Sequence, residues 1–471
     1  MKTMIKNGYV VSVDPKIGEV KNCDILIEDG IIKEVGCNLV CPDASVIDAK
    51  DHIVMPGFVD NHRHNWQSQL RTVASEWTLF DYMANMRSVY SSMYTPEDAY
   101  IGNYLGAVES LNAGITTMVD HCHLINSPEH SDKLVDGLVD SGIRGVFCYG
   151  FFVNPKYHPY RKESEAGWRY EDAARIKTER FKDENALVSF GVNPSEVAIT
   201  PFDIVKKELE LSRAMGAKII SCHAATGFYD FGGQIVAKLY KAGLLGNDMI
   251  FVHGASFTDE ELDMIKVCDA AVIATPETEL QMGMGKPVAF RCLDRGVKTS
   301  VGLDIISNCS AEMFTQMRLL LQCQRADENE EFAGKYGKAP GRVRRSTRDV
   351  LYLATQGGAD SINIGDVIGS ITPGKRADII MIKTDELNMA PVVNNPIGSI
   401  IYYANASNID TVMVNGELKK FKGKLVNVDV PNLIEKVVDS RKRLDQEFAL
   451  VDPNFNDRLW KDIYKDIVHF D

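Results

Sequence analysis

The sequence contains no apolar run long enough to cross a membrane, no CxxC pair and no excess of positive charge. A membrane-spanning helix needs about 20 consecutive apolar residues, so we expect no transmembrane segment. The net charge of -13 would repel the phosphates of a nucleic acid, which argues against such a partner. We therefore expect neither a membrane nor a nucleic-acid partner.

Cysteine usage and the first residues bear on the cellular compartment. The 10 cysteines are scattered singly, which speaks against a disulfide framework or a cysteine zinc site and favours a reducing environment. The opening stretch, MKTMIKNGYVVSV, alternates like a β-strand and lacks the apolar core of a signal peptide. Both observations favour a cytoplasmic protein.

The central part of the chain repeats one pattern. From residue 55 to about 367, short β-type runs such as GITTMVDHCH, AKIISCHAA and KTSVGLDII alternate with longer helical patterns. We count eight such runs, which predicts an α/β fold, a parallel (β/α)8 TIM barrel over residues 55–367. A doubly wound open sheet is the alternative, but eight repeats favour closure. The polar stretch at 325–342 is predicted to be an exposed insertion before the last barrel helix.

The two ends of the chain resemble each other. Residues 1–54 contain short strands and an Asp-Gly hairpin signal, and residues 368–429 contain a Pro-Gly turn and an Asn-Gly hairpin signal. We therefore predict one small β-sandwich built from both ends. Residues 430–471 are predicted to form a helical tail.

The stretch PGFVDNHRH places His62 and His64 two residues apart at the end of the first predicted barrel strand. Alternate side chains of a strand point the same way, so both imidazoles can bind one metal ion, although a solvated strand end is the alternative for HxH alone. His223, His253 and Asp304 end the fifth, sixth and eighth runs. Strand C-termini of a TIM barrel open onto one face, so we predict a metal site for zinc or ferrous iron.

The chain resembles the amidohydrolase superfamily, in its cytosine deaminase and triazine hydrolase branch. The stretches PGFVDNHRHNWQSQLR, GITTMVD, GLDIISN and IGSITPGKRADIIMI carry this resemblance, which spans nearly the whole chain. It implies that the metal ligands are His62, His64, His223 and Asp304 and that His253 polarises the attacking water or the substrate. Gln67, three residues after His64, matches a position that commonly touches substrate.

The resemblance also implies the number of metal ions and the chemistry. Two-metal members carry a carboxylated lysine at the end of the fourth strand, but ALVSFGVNPSEVAIT contains no lysine, which favours one divalent ion per chain. Zinc is expected, with iron, manganese and cobalt as alternatives. Such an ion lowers the pKa of a bound water from about 15.7 to about 7. Asp304 is then the expected general base, and His253 is expected to stabilise the tetrahedral intermediate.

Two positions depart from the pattern of this branch. Typical deaminases carry a glutamate three residues after the fifth-strand histidine, where this chain has Thr226. After the seventh strand, ATPETELQMG has Glu277 and Glu279 where serine and asparagine are usual. They are either surface carboxylates or a replacement for the missing proton shuttle, and we predict that Glu277 faces the pocket. Trp66, His121 and His123 are weaker candidates, for substrate contact or for packing and loop capping.

The function expected from these features is hydrolysis of a non-peptide C–N bond, foremost release of ammonia from a small heterocycle. Hydrolysis of an amide, carbamate or urea bond, or dechlorination, is the alternative, because these reactions do not need the missing glutamate. A non-catalytic binding protein on the same fold is the alternative of another class. A homo-oligomer is expected.

Overall fold

In the computed structural model, which describes residues 1–153, 167–230, 232–452 and 454, eight parallel strands form a barrel. In chain order these barrel strands are Phe58–Arg63, Ile115–Cys122, Arg144–Gly150, Val188–Asn193, Ile220–Ala224, Met249–His253, Ala271–Ala274 and Lys298–Val301. Each strand pairs with the next along the chain. The first and last meet through Asp304 N–H to the His62 carbonyl, 2.8 Å, and His64 N–H to the Asp304 carbonyl, 2.9 Å. The predicted (β/α)8 barrel is confirmed.

Helices follow the barrel strands, and local signals explain several of their boundaries. The helix Pro96–Asn112 begins with a Thr95–Asp98 capping box and a proline in its first turn. The other described α-helices of nine or more residues are Pro128–Asp140, Gly167–Arg180, Phe202–Ala214, Asp259–Val267, Met313–Tyr336 and Val430–Phe448. Shorter ones are Leu79–Asp81, Ser91–Met93, Ile235–Lys241, Pro276–Gln281, Ala289–Arg295, Thr347–Leu353, Gln356–Ser361 and Pro396–Tyr402, with 3-10 turns at Asn65–Gln67, Gly227–Tyr229 and Ala406–Asn408.

Both chain ends contribute to a second sheet, as expected. Its nine strands are Lys2–Val11, Glu19–Glu28, Ile31–Gly36, Ser45–Asp48, His52–Pro56, Ile379–Lys383, Ile409–Val414, Glu417–Phe421 and Lys424–Leu425. His52–Pro56 pairs in parallel with Lys2–Val11 and in antiparallel orientation with Ile379–Lys383. It therefore joins the strands of the two chain ends. The apolar run before the HxH motif therefore divides at Gly57: its first half belongs to this sheet and its second half starts the barrel.

Two predicted segments differ from the structure or extend past it. The polar stretch 325–342, predicted as an exposed insertion, is largely exposed from residue 330 onward, but as far as Tyr336 it continues the helix Met313–Tyr336. The helix Val430–Phe448 occupies the beginning of the predicted tail, and residues 453 and 455–471 of that tail lie outside the described residues. Among the helices of the described ranges, none is both long and apolar enough to span a bilayer.

A nine-residue π-helix, Tyr82–Tyr90, follows the first barrel strand in the chain and precedes the second. It covers part of the C-terminal face of the barrel. π-Helical segments are rare and occur frequently at functional sites. Phe80, just before this segment, contacts Tyr229 after the fifth strand, with ring centroids 4.8 Å apart. The segment therefore helps to enclose the space above the strand ends.

Candidate active site

Five of the predicted site residues meet at the C-terminal ends of the barrel strands. Asp304 Oδ1 lies 3.4 Å from His62 Nε2 and 3.3 Å from His64 Nε2. His223 Nε2 lies 3.3 Å from His62 Nε2, and the His253 ring stacks on that of His223 with centroids 5.5 Å apart. The structure therefore brings His62, His64, His223, His253 and Asp304 together from the first, fifth, sixth and eighth strands.

Hydrogen bonds fix which ring nitrogens carry protons. His64 Nδ1 lies 2.7 Å from the carbonyl of His121, which can only accept, so Nδ1 holds the proton. His223 Nδ1 lies 3.1 Å from Glu196 Oε2, which likewise fixes its proton. In the neutral rings the Nε2 lone pairs then face Asp304 and His62. A lone pair that faces a carboxylate at 3.3 Å is repelled unless a cation lies between the two atoms.

The donor set fits a divalent ion of the borderline type. The donor atoms of His62, His64 and Asp304 all lie within 4.8 Å of one another, and so do those of His62, His121 and His223. His62 belongs to both groups and links the predicted ligands. Imidazole nitrogens with one carboxylate oxygen are a usual zinc ligand set. The predicted ligands His62, His64, His223 and Asp304 are thus able to hold such an ion, and they account for every member of both groups except His121.

Burial and charge set the protonation of these groups. Burial lowers the pKa of His62 and His223 below the usual histidine value, which favours the neutral form that binds a metal. Burial alone would raise the pKa of Asp304, but the neighbouring imidazoles of His62 and His64 hold it well below its usual value. The cluster therefore presents two neutral imidazoles and an ionised carboxylate.

Two site residues have left-handed backbone conformations. His253 has a φ of 80° and Asp304 a φ of 67°. Such conformations are uncommon outside glycine and cost on the order of 1–3 kcal/mol each. Both residues lie at or just beyond a strand end, where the chain turns toward the cavity. The strained backbone is what aims both side chains at the same space.

A second carboxylate, Glu196, supports His223 from the loop after the fourth strand. Its Oε1 accepts from Arg87 Nη1 at 2.8 Å, and its Oε2 faces His223 Nδ1. Burial would raise its pKa, but His223 and Arg87 hold the pKa of Glu196 below its usual value. Carboxylates that bind the far nitrogen of a metal-ligating histidine orient the ring and raise its basicity. Glu196 is therefore in the position of such a supporting group.

The site opens into a cavity of about 410 Å³. His64, Glu196, His223, His253 and Asp304 line it together with Thr226. The more exposed lining is largely apolar and includes Leu79, Phe80, Met83, Phe152, Ile199 and Tyr229. A polar inner end and an apolar outer wall suit a small heterocycle that carries an apolar substituent.

Three predicted substrate residues lie beside the site but not on the wall of this cavity, as far as the described residues define it. Trp66 is 0% exposed, and its Nε1 donates to His123 Nδ1 at 3.0 Å. Gln67 is also 0% exposed; its Nε2 donates to the Tyr82 hydroxyl at 2.6 Å, and its Oε1 accepts from Ser307. Tyr82 lines the cavity, so Gln67 reaches the site through Tyr82. The buried position of Trp66 agrees with a packing role, which was the alternative to substrate contact.

The placement of Glu277 differs from the prediction. The short helix Pro276–Gln281 begins directly after the seventh strand, so strand alternation does not continue to this residue. Glu277 instead accepts from Gln316 Nε2 at 2.9 Å and from Ser310, and it is absent from the described lining of the cavity. Glu279, two residues further along the same helix, is the carboxylate that points toward His253.

Glu279 is 0% exposed and forms a chain of contacts with His253. Its Oε1 accepts from the Thr275 backbone N–H at 2.8 Å and from Thr275 Oγ1 at 3.2 Å. His253 Nδ1 lies 3.0 Å from Thr275 Oγ1 and 3.5 Å from Glu279 Oε1. Burial lowers the pKa of His253, but Glu279 and Asp304 outweigh burial, and the pKa is raised overall. This arrangement favours a protonated His253.

Glu196 and Arg87 were not identified from the sequence. Glu196 lies three residues after the fourth strand, which was considered only for its lack of lysine. Its position just past a barrel strand is the same signal that identified His253 and Asp304. Arg87 carried no such signal, because it lies on the π-helix and reaches Glu196 from a distant part of the chain.

The family model described as "Amidohydrolase family" matches residues 53–419, which include the whole barrel and strands of the second sheet. The chain belongs to the amidohydrolase family. Among curated proteins it is similar to a 5-methylthioadenosine/S-adenosylhomocysteine deaminase of Pyrococcus furiosus, with 27% identity over 92% of this chain and 98% of that protein. It is also similar to a 5'-deoxyadenosine deaminase of Methanosarcina mazei, with 24% identity over 94% and 98%.

Solved structures share the fold of this amidohydrolase. An adenosine deaminase from Xanthomonas campestris with bound zinc aligns with a TM-score of 0.82 at 22% identity, over 94% of this chain and 98% of that one. An atrazine chlorohydrolase from Arthrobacter aurescens TC1 complexed with zinc aligns with a TM-score of 0.77 at 20% identity, over 93% and 100%. Family membership and the deaminase relatives agree with the predicted hydrolase acting on C–N bonds.

Proposed function

We propose that this amidohydrolase is a metal-dependent aminohydrolase that releases ammonia from a small nitrogen heterocycle. The observation that carries the proposal is the convergence of His62, His64, His223 and Asp304 at the inner end of the cavity, where bonds at Nδ1 leave Nε2 of His64 and His223 free to bind a cation. Relatives named as deaminases of adenosine derivatives align over nearly their whole length, which supports the reaction type and an adenine-like ring.

The proposed metal is one divalent ion per chain held by His62, His64, His223 and Asp304. When bound, it would lower the pKa of a coordinated water toward neutrality and polarise the reacting carbon. Zinc is favoured by the donor set, with iron, manganese and cobalt as alternatives. The cytoplasmic location and the homo-oligomer stay predictions.

Asp304 is proposed as the group that moves the proton. Its carboxylate is ionised and lies among the donor nitrogens, so it can accept a proton from the attacking water and return it to the departing nitrogen. His253 faces the same space from the sixth strand. As an imidazolium it can donate a hydrogen bond to the atom on which negative charge develops.

The lining of the cavity supports a substrate contact that the sequence did not predict. Glu196 lines the cavity at its polar end, and its carboxylate is held by Arg87. We assign to it contact with a ring nitrogen of the substrate, in place of the glutamate that Thr226 replaces. Of the residues that the sequence predicts to contact substrate, Gln67 binds Tyr82 of the cavity wall and Trp66 binds His123. Glu277 binds Gln316.

The second candidate reaction is hydrolysis of an amide, carbamate or urea bond, or dechlorination. Thr226 favours it, because a threonine hydroxyl cannot deliver a proton to a ring nitrogen as a carboxylic acid can. Glu196 stays ionised beside Arg87, so its capacity to deliver that proton is what separates the two reactions.

The test is a substrate panel assayed for ammonia release. It comprises adenosine derivatives with apolar 5' substituents, free aminated purines, pterins, triazines and carbamates. Each compound is assayed with zinc-loaded protein and with protein from which a chelator has removed the metal. The proposal expects zinc-dependent ammonia release from at least one aminated heterocycle. Release of chloride from a chlorinated ring, or of an amine and an alcohol from a carbamate, without ammonia from aminated rings would favour the second candidate. Inactivity of the metal-loaded protein throughout would favour a binding protein.

A further inference from the structure

The second barrel strand brings one more imidazole to the candidate metal centre. His121 is 2% exposed and precedes the last residue of that strand. Side chains two residues apart on a strand point to the same face, and Val119 packs in a cluster that joins several barrel strands. His121 therefore points toward the barrel interior, beneath the space where the site histidines meet.

The distances place His121 within reach of the same ion. Its ring centroid lies 4.2 Å from that of His223, 5.0 Å from His62 and 5.2 Å from His64. One of its nitrogens forms a group with donor atoms of His62 and His223 in which no pair is more than 4.8 Å apart. Two nitrogens bound to one zinc ion at 2.0–2.1 Å are at most about 4.2 Å apart. A small adjustment of the side chains brings this group to that size.

The hydrogen bonding of His121 repeats that of the predicted ligands. Its Nδ1 lies 2.9 Å from the hydroxyl of Ser221, a residue that is 0% exposed on the fifth strand. With the Nδ1 proton donated to this hydroxyl, Nε2 keeps its lone pair. His64 and His223 have the same arrangement, with the His121 carbonyl and Glu196 as acceptors. Oxygen acceptors of this kind orient metal-ligating histidines.

We propose that His121 is an additional metal ligand, so that the centre binds its ion with four imidazoles and Asp304. The set implied by the family resemblance takes no ligand from the second strand. Zinc accepts a fifth ligand, so the water of the proposed reaction would replace one of these five ligands when it binds, and a nitrogen-rich set also suits cobalt and ferrous iron. The proposal concerns the ion and does not depend on which C–N bond is hydrolysed.

The main test counts imidazoles around the ion in the full-length protein. X-ray absorption of the zinc-loaded wild type is expected to show four imidazoles, and His121→Ala is expected to show three. Cobalt-substituted His121→Ala should change its visible absorption, because the number of ligands changes. Titration of the apoprotein with zinc should show a loss of affinity on the order of 100-fold or more, beyond that of a lost supporting group. The alanine keeps the backbone carbonyl that accepts from His64.

His123→Ala is the matched control. It also removes an imidazole beside the centre, with a ring centroid 4.2 Å from that of His64, but His123 belongs to neither donor group. We expect it to keep the cobalt spectrum and the imidazole count of the wild type. Ser221→Ala should weaken zinc binding by about 10-fold without changing the count.

Several results would overturn the proposal. Three imidazoles in the wild type would do so even if His121→Ala failed to fold, and so would an unchanged cobalt spectrum in that variant. A wild-type protein that binds neither zinc nor cobalt would overturn this proposal together with the metal centre. A protein with four imidazoles that releases no ammonia from the substrate panel would support this ligand while contradicting the proposed reaction.

Discussion

Two histidine–glutamate pairs flank the candidate metal centre, and they differ in what balances the carboxylate. Glu196 contacts His223 and also binds Arg87, whereas Glu279 has His253 as its salt-bridge partner among the described residues. The pKa of His223 is lowered because burial outweighs Glu196, and the pKa of His253 is raised because Glu279 and Asp304 outweigh burial. His223, whose carboxylate partner also binds an arginine, is thus favoured in the neutral form that a ligand needs, and His253, which faces both Glu279 and Asp304, is favoured in the charged form.

The largest effect on metal binding and activity is expected for His223, the histidine of the two pairs that is proposed to bind the metal. His223→Ala removes a donor that His253 cannot replace, because His253 Nδ1 is directed to Thr275 and Glu279 and the raised pKa of this ring favours its protonated form. We expect a folded protein with little bound metal and with activity at background, measured by metal analysis and ammonia release. Full metal occupancy in His223→Ala would contradict the ligand assignment, and His62→Ala should behave in the same way.

Asp304→Asn should have the next largest effect. The amide keeps the shape and one possible ligand oxygen, but it cannot accept a proton. We expect part of the metal to remain while kcat falls on the order of 10²- to 10⁴-fold, the contribution typical of a general base. Near-normal turnover at neutral pH would require another group to take the proton.

Glu279→Gln tests the charged pair. The change removes the negative charge beside His253, so the pKa of His253 should fall and its imidazolium should be lost at lower pH than in the wild type. We expect kcat to fall about 10-fold to 100-fold, and the alkaline limb of the pH–rate profile to move to lower pH. An unchanged alkaline limb would mean that His253 acts without its proton.

Glu277→Gln should have the smallest effect and serves as the control for Glu279→Gln. Its carboxylate contacts Gln316 and Ser310 at a distance from the cavity wall, and a glutamine can keep part of these contacts. We expect kcat/KM close to that of the wild type. A large loss of kcat/KM in this variant alone would restore the original prediction for Glu277.

The sequence predicted those parts of the site that follow from strand ends. His62, His64, His223, His253 and Asp304 were identified because the strand C-termini of a barrel share one face, and the same rule reaches Glu196. The choice between Glu277 and Glu279 failed because a helix begins at Pro276, where strand alternation had been assumed.

The long-range contacts could not be predicted from local patterns. Arg87 reaches Glu196 across 109 positions of the chain, and Gln67 contacts Tyr82 and not the cavity. Such pairings depend on how the π-helix lies over the barrel. Likewise, the division of the first apolar run at Gly57 depends on the pairing of His52–Pro56 with strands from both chain ends.

The most direct test of the two-pair account is a parallel measurement of zinc affinity for Glu196→Gln and Glu279→Gln. Glu196 supports a metal ligand, so its amide variant should weaken zinc binding by about 10-fold to 100-fold. Glu279 supports a histidine that does not bind the metal, so Glu279→Gln should keep the wild-type affinity while it loses turnover. Equal losses of affinity in both variants, or a larger loss in Glu279→Gln, would contradict the account.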